Sequence, residues 1–190
     1  MYAGEGEPFL HKDMPEFINH TKKVGIDCAI ATNAVLYNSE KINKCLGSLT
    51  WIRVSLNAGT KKTYAKIHNS KEDDFNKVIN NLEYAVKIKR KNKYKTTIGA
   101  QVILISENYN EIITLAKLLK NIGLDYLTIK PFIKHLMSKH NLTKKFNEYE
   151  MHCLNEKLQK ISDNNFNIVF RVHGFKKLDT KRLYKRCLGL

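Results

Sequence analysis

The sequence predicts an α/β fold whose strands run parallel and curl into a barrel, and three observations carry that prediction. First, strand-forming runs alternate with helical stretches of about ten or more residues, the pattern of right-handed βαβ units. Second, Lys23-Val24-Gly25-Ile26-Asp27 and Asn121-Ile122-Gly123-Leu124-Asp125 repeat one junction, in which a glycine closes a helix at C′ and the chain enters a strand. Third, the strands have one apolar and one polar face. Ile52, Val54 and Leu56 oppose Trp51, Arg53, Ser55 and Asn57; Leu127 and Ile129 oppose Tyr126, Thr128 and Lys130; Ile168, Phe170 and Val172 oppose Asn167, Arg171 and His173. A sheet covered by helices on both faces would be apolar on both. One polar face also suits an exposed sheet, with Arg53 in a structural ion pair, but its recurrence favours a lumen whose richest positions are strand C-terminal ends.

The elements follow in order. Asp13 as N-cap, Pro15 in the first turn and Glu16 open a helix over residues 14–24. A strand over 28–33, a helix over 39–46 and a strand over 51–57 follow. Ser70 with Asp73 three residues on caps the next helix, whose apolar stripe is Phe75, Val78, Ile79, Leu82 and Val86. Then come a strand over 97–105, a helix over 109–122, a strand over 126–131, a helix over 147–161 and a last strand over 166–173.

A length of 190 residues suits one well-cored domain, and 43% hydrophobic residues exclude a disordered tail. No apolar run reaches the roughly 18 residues of a membrane span, and the N-terminus lacks a basic region followed by an apolar core. A cytoplasmic protein without a membrane partner is expected. Cys28, Cys45, Cys153 and Cys187 contain no CxxC pair, so they read as reduced thiols, with Cys28 and Cys45 packed as small apolar residues. The net charge of +15 comes from lysines scattered along every element, and the run at residues 87–93 closes a helix, where cations suit the dipole. Direct binding of nucleic acid is therefore not expected.

The segment with the most chemistry is Gly4-Glu5-Gly6-Glu7-Pro8. Glycines admit positive φ and close approach of a ligand to the main chain, and glutamates offer acceptors to a cation such as an amine.

This turn, continued by Phe9-Leu10-His11, resembles the GGEP motif of the radical S-adenosylmethionine (radical SAM) superfamily. Arg53-Val54-Ser55-Leu56-Asn57-Ala58 resembles the family's fourth-strand motif, Tyr64 with Ile67-His68 its Y-x-x-I-H phrase, and Thr32-Asn33 its T-N pair. The resemblance covers nearly the whole chain. It implies a partial (β/α)6 TIM-like barrel lacking the first βα unit, over residues 1–182, with SAM across the top of the strands. It implies cofactor contacts at Gly4, Glu5, Gly6, Glu7 and Pro8 for the SAM amine, at Thr32 and Asn33, at Ser55 and Asn57 for the ribose or carboxylate, and at Gln101 and Lys130 beside the adenine, with apolar Val102 and Ile103 adjacent. Arg53, Lys130, Arg171 and His173 would orient an anionic substrate through phosphate or carboxylate, and His135 and His140 lie after the strand at 126–131.

The family's CxxxCxxC loop is absent, and only Met1-Tyr2-Ala3 precede the turn. A [4Fe-4S] cluster needs three thiolates so that one iron stays free for SAM. The chain is thus expected to be an excerpt of a longer protein, with the cluster ligands upstream of Met1, and to be inactive alone. Residues 183–190 resemble the entry to a SPASM- or twitch-type extension, with Cys187 either the first metal ligand of an auxiliary cluster or a plain thiol. The implied full-length activity is an oxidoreductase-like one: reductive cleavage of SAM, fed by flavodoxin or ferredoxin, to a 5′-deoxyadenosyl radical that takes hydrogen from an unidentified substrate. The alternative is a cluster-less barrel that binds SAM, nucleic acid or a protein. A nicotinamide- or phosphate-dependent α/β enzyme ranks last, since neither G-x-G-x-x-G after a strand nor P-loop spacing occurs.

Overall fold

Five strands lie in one all-parallel sheet in chain order: β1 (Ala29–Thr32), β2 (Trp51–Ser55), β3 (Thr97–Leu104), β4 (Tyr126–Pro131) and β5 (Asn167–Phe170). The computed structural model describes residues 1–4, 6–132 and 146–172. A strictly sequential order with right-handed crossovers sets every helix on the same face, the topology of a curling (β/α) barrel rather than a doubly wound sheet. The crossovers carry α1 (Met14–Lys23), α2 (Ser39–Cys45), α3 (Lys61–His68), α4 (Glu72–Lys91), α5 (Ile112–Ile122) and α6 (Glu148–Gln159). Tyr2 adds a parallel bridge to Ile30, through Tyr2 N–H to Ala29 O at 2.7 Å and Ala31 N–H to Tyr2 O at 3.0 Å.

The core lies between the sheet and this helical layer. Ile52, Val54, Ala100, Val102, Leu127 and Ile129 point outward from the strands and meet Ile42, Val78, Leu82, Leu115 and Leu119 of the helices, all fully buried. Each Val, Leu or Ile among them contributes about 1.5–3 kcal/mol of transfer free energy. The opposite strand positions are only partly buried in β2, where Trp51, Arg53 and Ser55 alternate with buried Ile52 and Val54. Among the described residues, no helix is long and apolar enough to cross a membrane.

The C′ glycines are where the sequence placed them: Gly25 follows α1 at φ +84° and Gly123 follows α5 at φ +93°. Several details differ. β2 ends at Ser55 instead of residue 57, and β5 covers Asn167–Phe170 instead of 166–173. Asp13 occupies the N-cap of α1 but its carboxylate caps no amide. Ser70 does not cap α4. Asn69, at φ 48°, ends α3, and the Ser70 amide closes that end on Ala65 O at 3.0 Å, so the N-cap passes to Lys71, whose N–H meets the Asp74 carboxylate at 3.4 Å. The helix foreseen from residue 109 begins with a 3-10 turn at Tyr109–Glu111, and α3 itself was unforeseen. Val102 faces the helical layer, fully buried, so of the pair Val102 and Ile103 only Ile103 shares the lumen face with Gln101.

Gly99 lies in register with Arg53 on one side and Tyr126 on the other. A Cβ there would collide with the Tyr126 ring, which lies flat over the glycine. Gly99→Ala is therefore expected to cost about 1–3 kcal/mol, read from the denaturant midpoint. Combining it with Tyr126→Ala should cost less than the sum of the two single changes; strict additivity would contradict this packing.

Candidate functional site

Glu7 ties the glycine turn to the C-terminal end of β1. One carboxylate oxygen accepts from the Thr32 hydroxyl at 2.6 Å and from Phe9 N–H at 3.1 Å, while the other accepts from Asn33 N–H at 2.7 Å. Thr32 in turn accepts from Ala34 N–H at 2.9 Å. Register pairs Thr32 with Val54, on the helical side of the sheet, so its side chain serves the turn and does not face the lumen. Asn33 accepts from Val35 N–H at 2.9 Å. Beyond the turn, Phe9 is buried against Tyr37, with centroids 4.6 Å apart, and Lys41 donates to Phe9 O at 2.7 Å. The sequence suggested Glu7 as an acceptor for a ligand cation. In the structure its carboxylate is taken by protein donors, and the Glu7 and Pro8 carbonyls accept from Leu10 N–H and His11 N–H, both at 3.1 Å. Gly4 does not adopt positive φ, and neither Gly4 nor Gly6 has an atom within 4 Å of where a Cβ would lie, so both present open main chain. Glu5 lies outside the described residues.

A second knot secures the loop after β2. Asn57 accepts through Oδ1 from Ile103 N–H at 2.8 Å, and its own N–H donates to His68 Nε2 at 3.3 Å. Asn108, fully buried, donates through Nδ2 to Asn57 O at 2.8 Å and to Ile103 O at 2.9 Å, and accepts through Oδ1 from Ile105 N–H at 3.0 Å. Glu111 accepts from Gly59 N–H, Thr60 N–H, the Thr60 hydroxyl and, at 2.6 Å, the Thr63 hydroxyl. His68 stacks on Tyr64 with centroids 4.2 Å apart, and burial lowers its pKa, which suits the neutral imidazole that accepts from Asn57. Asn57, foreseen as a cofactor ligand, thus has its oxygen engaged by β3. Asn108 and Glu111 escaped sequence reasoning, because nothing in Asn108-Tyr109-Asn110-Glu111 marks residues whose partners lie about 50 positions away.

Burial pushes the Glu111 carboxyl up, but the hydrogen bonds from Thr63, Thr60 and Gly59 outweigh it and hold the group below its ordinary value. A carboxyl depressed in the folded state contributes stability that is complete above the ordinary glutamate pKa of about 4.3. That contribution is lost as pH falls through the depressed folded value. Glu111→Gln is expected to flatten this acid limb in a series of denaturant midpoints against pH; an unchanged limb would contradict the assignment.

The lumen face carries three rows of side chains set by register. Arg53, Gly99 and Tyr126 form the lowest, Ser55, Gln101 and Thr128 the middle, and Ile103 with Lys130 the upper, beside Arg171, whose N–H donates to Ile129 O at 3.0 Å. These strands border an open cavity of about 350 Å³ lined by Arg53, Gln101, Thr128, Lys130 and Arg171, with Trp51 at its lower end. The Arg53 guanidinium sits 5.4 Å from the Trp51 ring centroid. Gln101 and Lys130, foreseen at an adenine, line this cavity together with the foreseen substrate residues Arg53 and Arg171. Burial, and then the neighbouring charges of Arg53 and Arg171, lower the Lys130 pKa.

His173, Cys187, His135 and His140, together with residues 183–190, lie outside the described residues. Cys28 and Cys45 are buried, and burial raises both thiols, Cys45 to about 12, as expected of packed, inert cysteines. No group of three His, Cys, Asp or Glu that would hold a metal occurs among the described residues. These residues therefore do not fit an iron–sulfur cluster, whereas the open turn and the end of β2 do offer donors and acceptors for a small polar cofactor.

The sequence model of the Radical SAM superfamily matches residues 1–129. An uncharacterised protein of Methanocaldococcus jannaschii is 34% identical over 119 residues, covering 61% of this chain and 38% of that protein. GTP 3′,8-cyclase of Nautilia profundicola is 28% identical over 155 residues, covering 76% of this chain and 46% of that enzyme. The chain thus spans less than half the length of either relative. Among solved structures, Streptococcus suis SuiB bound to S-adenosylmethionine superposes with a TM-score of 0.66 at 18% identity, over 87% of this chain and 38% of that one.

Proposed function

The chain belongs to the radical SAM superfamily, and from that premise we propose that it is the SAM-binding barrel of an enzyme that abstracts hydrogen from a small substrate in its lumen. The observation that carries this reading is the Glu7 clamp. It fastens the glycine turn to Thr32 and Asn33 at the C-terminal end of β1, the strand that pairs with β2, which supports a cofactor held between the turn and the end of β2. Carbonyls of Gly4 and Gly6 would accept from the ammonium of SAM, and the Ser55 hydroxyl and Asn57 Nδ2 would meet its ribose or carboxylate. Thr32, Asn33 and Glu7 act by holding the turn in place.

When bound, SAM supplies the 5′-deoxyadenosyl group that, as a radical, takes a hydrogen atom. A [4Fe-4S] cluster would supply the electron that cleaves SAM, its three thiolate ligands lying outside the described residues, and a flavodoxin or ferredoxin is the proposed electron donor. What the described residues do is hold the cofactor's polar ends and keep the lumen open for a substrate. Nothing in this reading requires nucleic acid, and a cytoplasmic location is part of the proposal.

The test is the intact gene product, purified anaerobically and reconstituted with iron and sulfide. Iron–sulfur absorbance and 5′-deoxyadenosine after dithionite are expected. SAM binding without any 5′-deoxyadenosine would instead support a cluster-less binding module, and absence of both would sink the reading.

A further inference from the structure

The lumen cavity is more specific than a generic substrate space, and the inference that follows rests on the reading of the lumen as the substrate site. Three cationic side chains, Arg53, Lys130 and Arg171, line about 350 Å³, and among the described residues no Asp or Glu lines it with them. The nearest acid in sequence to its wall, Asp125, is engaged elsewhere: both its oxygens meet Lys89 Nζ at 2.6 Å, and one also accepts from Ile98 N–H. Like charges gathered in one space repel one another unless an anion joins them, and the Lys130 pKa, lowered first by burial, is lowered further by Arg53 and Arg171. Arg53 is also held ready, its planar fork seated against Trp51.

A second observation points to a ligand. Gln101 Oε1 is buried and has no hydrogen-bond partner. Buried acceptors are nearly always satisfied, so an orphan one on the wall of a cavity marks the place of a donor that a bound molecule brings. Charged oxygens cannot provide it, whereas a molecule that carries an N–H or O–H beside its anionic group can.

Charge and volume then select the class. Three cations match a dianionic or trianionic group better than a single carboxylate, and guanidinium forks bind phosphate bidentately. A cavity of this size lies at the lower end of the roughly 300–1,000 Å³ range of small-molecule sites. We propose that the cavity takes a phosphorylated small-molecule substrate, with Arg53, Lys130 and Arg171 on its phosphate and Gln101 Oε1 accepting from a neutral hydroxyl or amine of the same molecule.

The experiment is calorimetric titration of the intact gene product with inorganic pyrophosphate, inorganic phosphate, malonate and glycerol 3-phosphate, with SAM titrated in parallel. Saturable binding of pyrophosphate at one site is expected, weakened at least tenfold by each of Arg53→Gln, Lys130→Gln and Arg171→Gln. Arg53→Lys, which keeps the charge and loses the fork, should weaken it less than Arg53→Gln. Glycerol 3-phosphate should bind more tightly than phosphate, and Gln101→Leu should erase that preference. Absence of saturable pyrophosphate binding, binding indifferent to the three cations, or malonate binding as tightly as pyrophosphate would each overturn the proposal. SAM titration separates the two readings: SAM bound without anion binding removes only this inference, whereas pyrophosphate bound without SAM removes the cofactor assignment.

Discussion

Asn108→Ala is expected to lower the stability of the barrel by about 2–4 kcal/mol. The side chain is fully buried and serves three main-chain groups on two segments: Asn57 O, Ile103 O and Ile105 N–H. Alanine leaves all three without that partner in a site that water does not reach, so the desolvation of orphaned groups is incurred without return. Asn108→Asp makes the argument sharper. Its carboxylate can still accept from Ile105 N–H, but it turns negative oxygens on two carbonyls, so at neutral pH it should cost at least as much as alanine. A buried carboxyl that is better neutral has a raised pKa, so part of the loss should return as pH falls and the protonated acid becomes a donor. Denaturant midpoints at two pH values check both statements. A loss below about 1 kcal/mol for Asn108→Ala would show that the loop after β2 does not depend on this residue.

Glu7→Ala is expected to leave the barrel folded and to weaken SAM binding by about 10- to 100-fold, the factor that one or two charge-assisted hydrogen bonds are worth. Its carboxylate joins the turn to Thr32 and Asn33 across 25 residues of sequence. Without it, the turn retains the Tyr2 bridge on one side and the buried Phe9 on the other, but its carbonyls lose their fixed place at the strand ends. Glu7→Gln separates charge from geometry. Its Oε1 can still accept from Thr32, while its amide opposes the Asn33 N–H with another donor, so an intermediate loss is expected. Equilibrium binding of SAM with a circular dichroism check on folding reads both. If Glu7→Gln binds as wild type and Glu7→Ala does not, the clamp works through shape alone.

Much of the architecture was legible because it rests on local and periodic signals. The one-sided polarity of Trp51, Arg53 and Ser55 needs only the period of a strand, and Gly25 and Gly123 announce helix ends by their freedom at positive φ. The helix α3 was not legible, since it spans only eight residues and buries a single side chain, Tyr64. Ser70 was a good cap by residue type, but Asn69 and Ser70 close the preceding helix, and a sequence window does not reveal which of two adjacent helices claims a residue.

The site divides the same way. Composition drew attention to Gly4-Glu5-Gly6-Glu7-Pro8 and the family resemblance to Thr32-Asn33, and the structure joins the two segments. Their roles were not legible, because Glu7 looks like a ligand acceptor until the donors that reach it from β1 are seen. Asn57 likewise reads as a free amide until Ile103 is found on its oxygen. Asn108 and Glu111 carry no pattern at all, since a polar knot that links loops some 50 residues apart has neither period nor spacing.

The measurement that tests the central claim most directly is amide hydrogen exchange of the intact, anaerobically purified gene product with and without SAM. If the turn and the end of β2 hold the cofactor, SAM should slow exchange in peptides covering residues 4–10 and 55–60 and leave α4 and α6 unchanged. Slowing confined to other segments, with residues 4–10 indifferent to saturating SAM, would contradict the account.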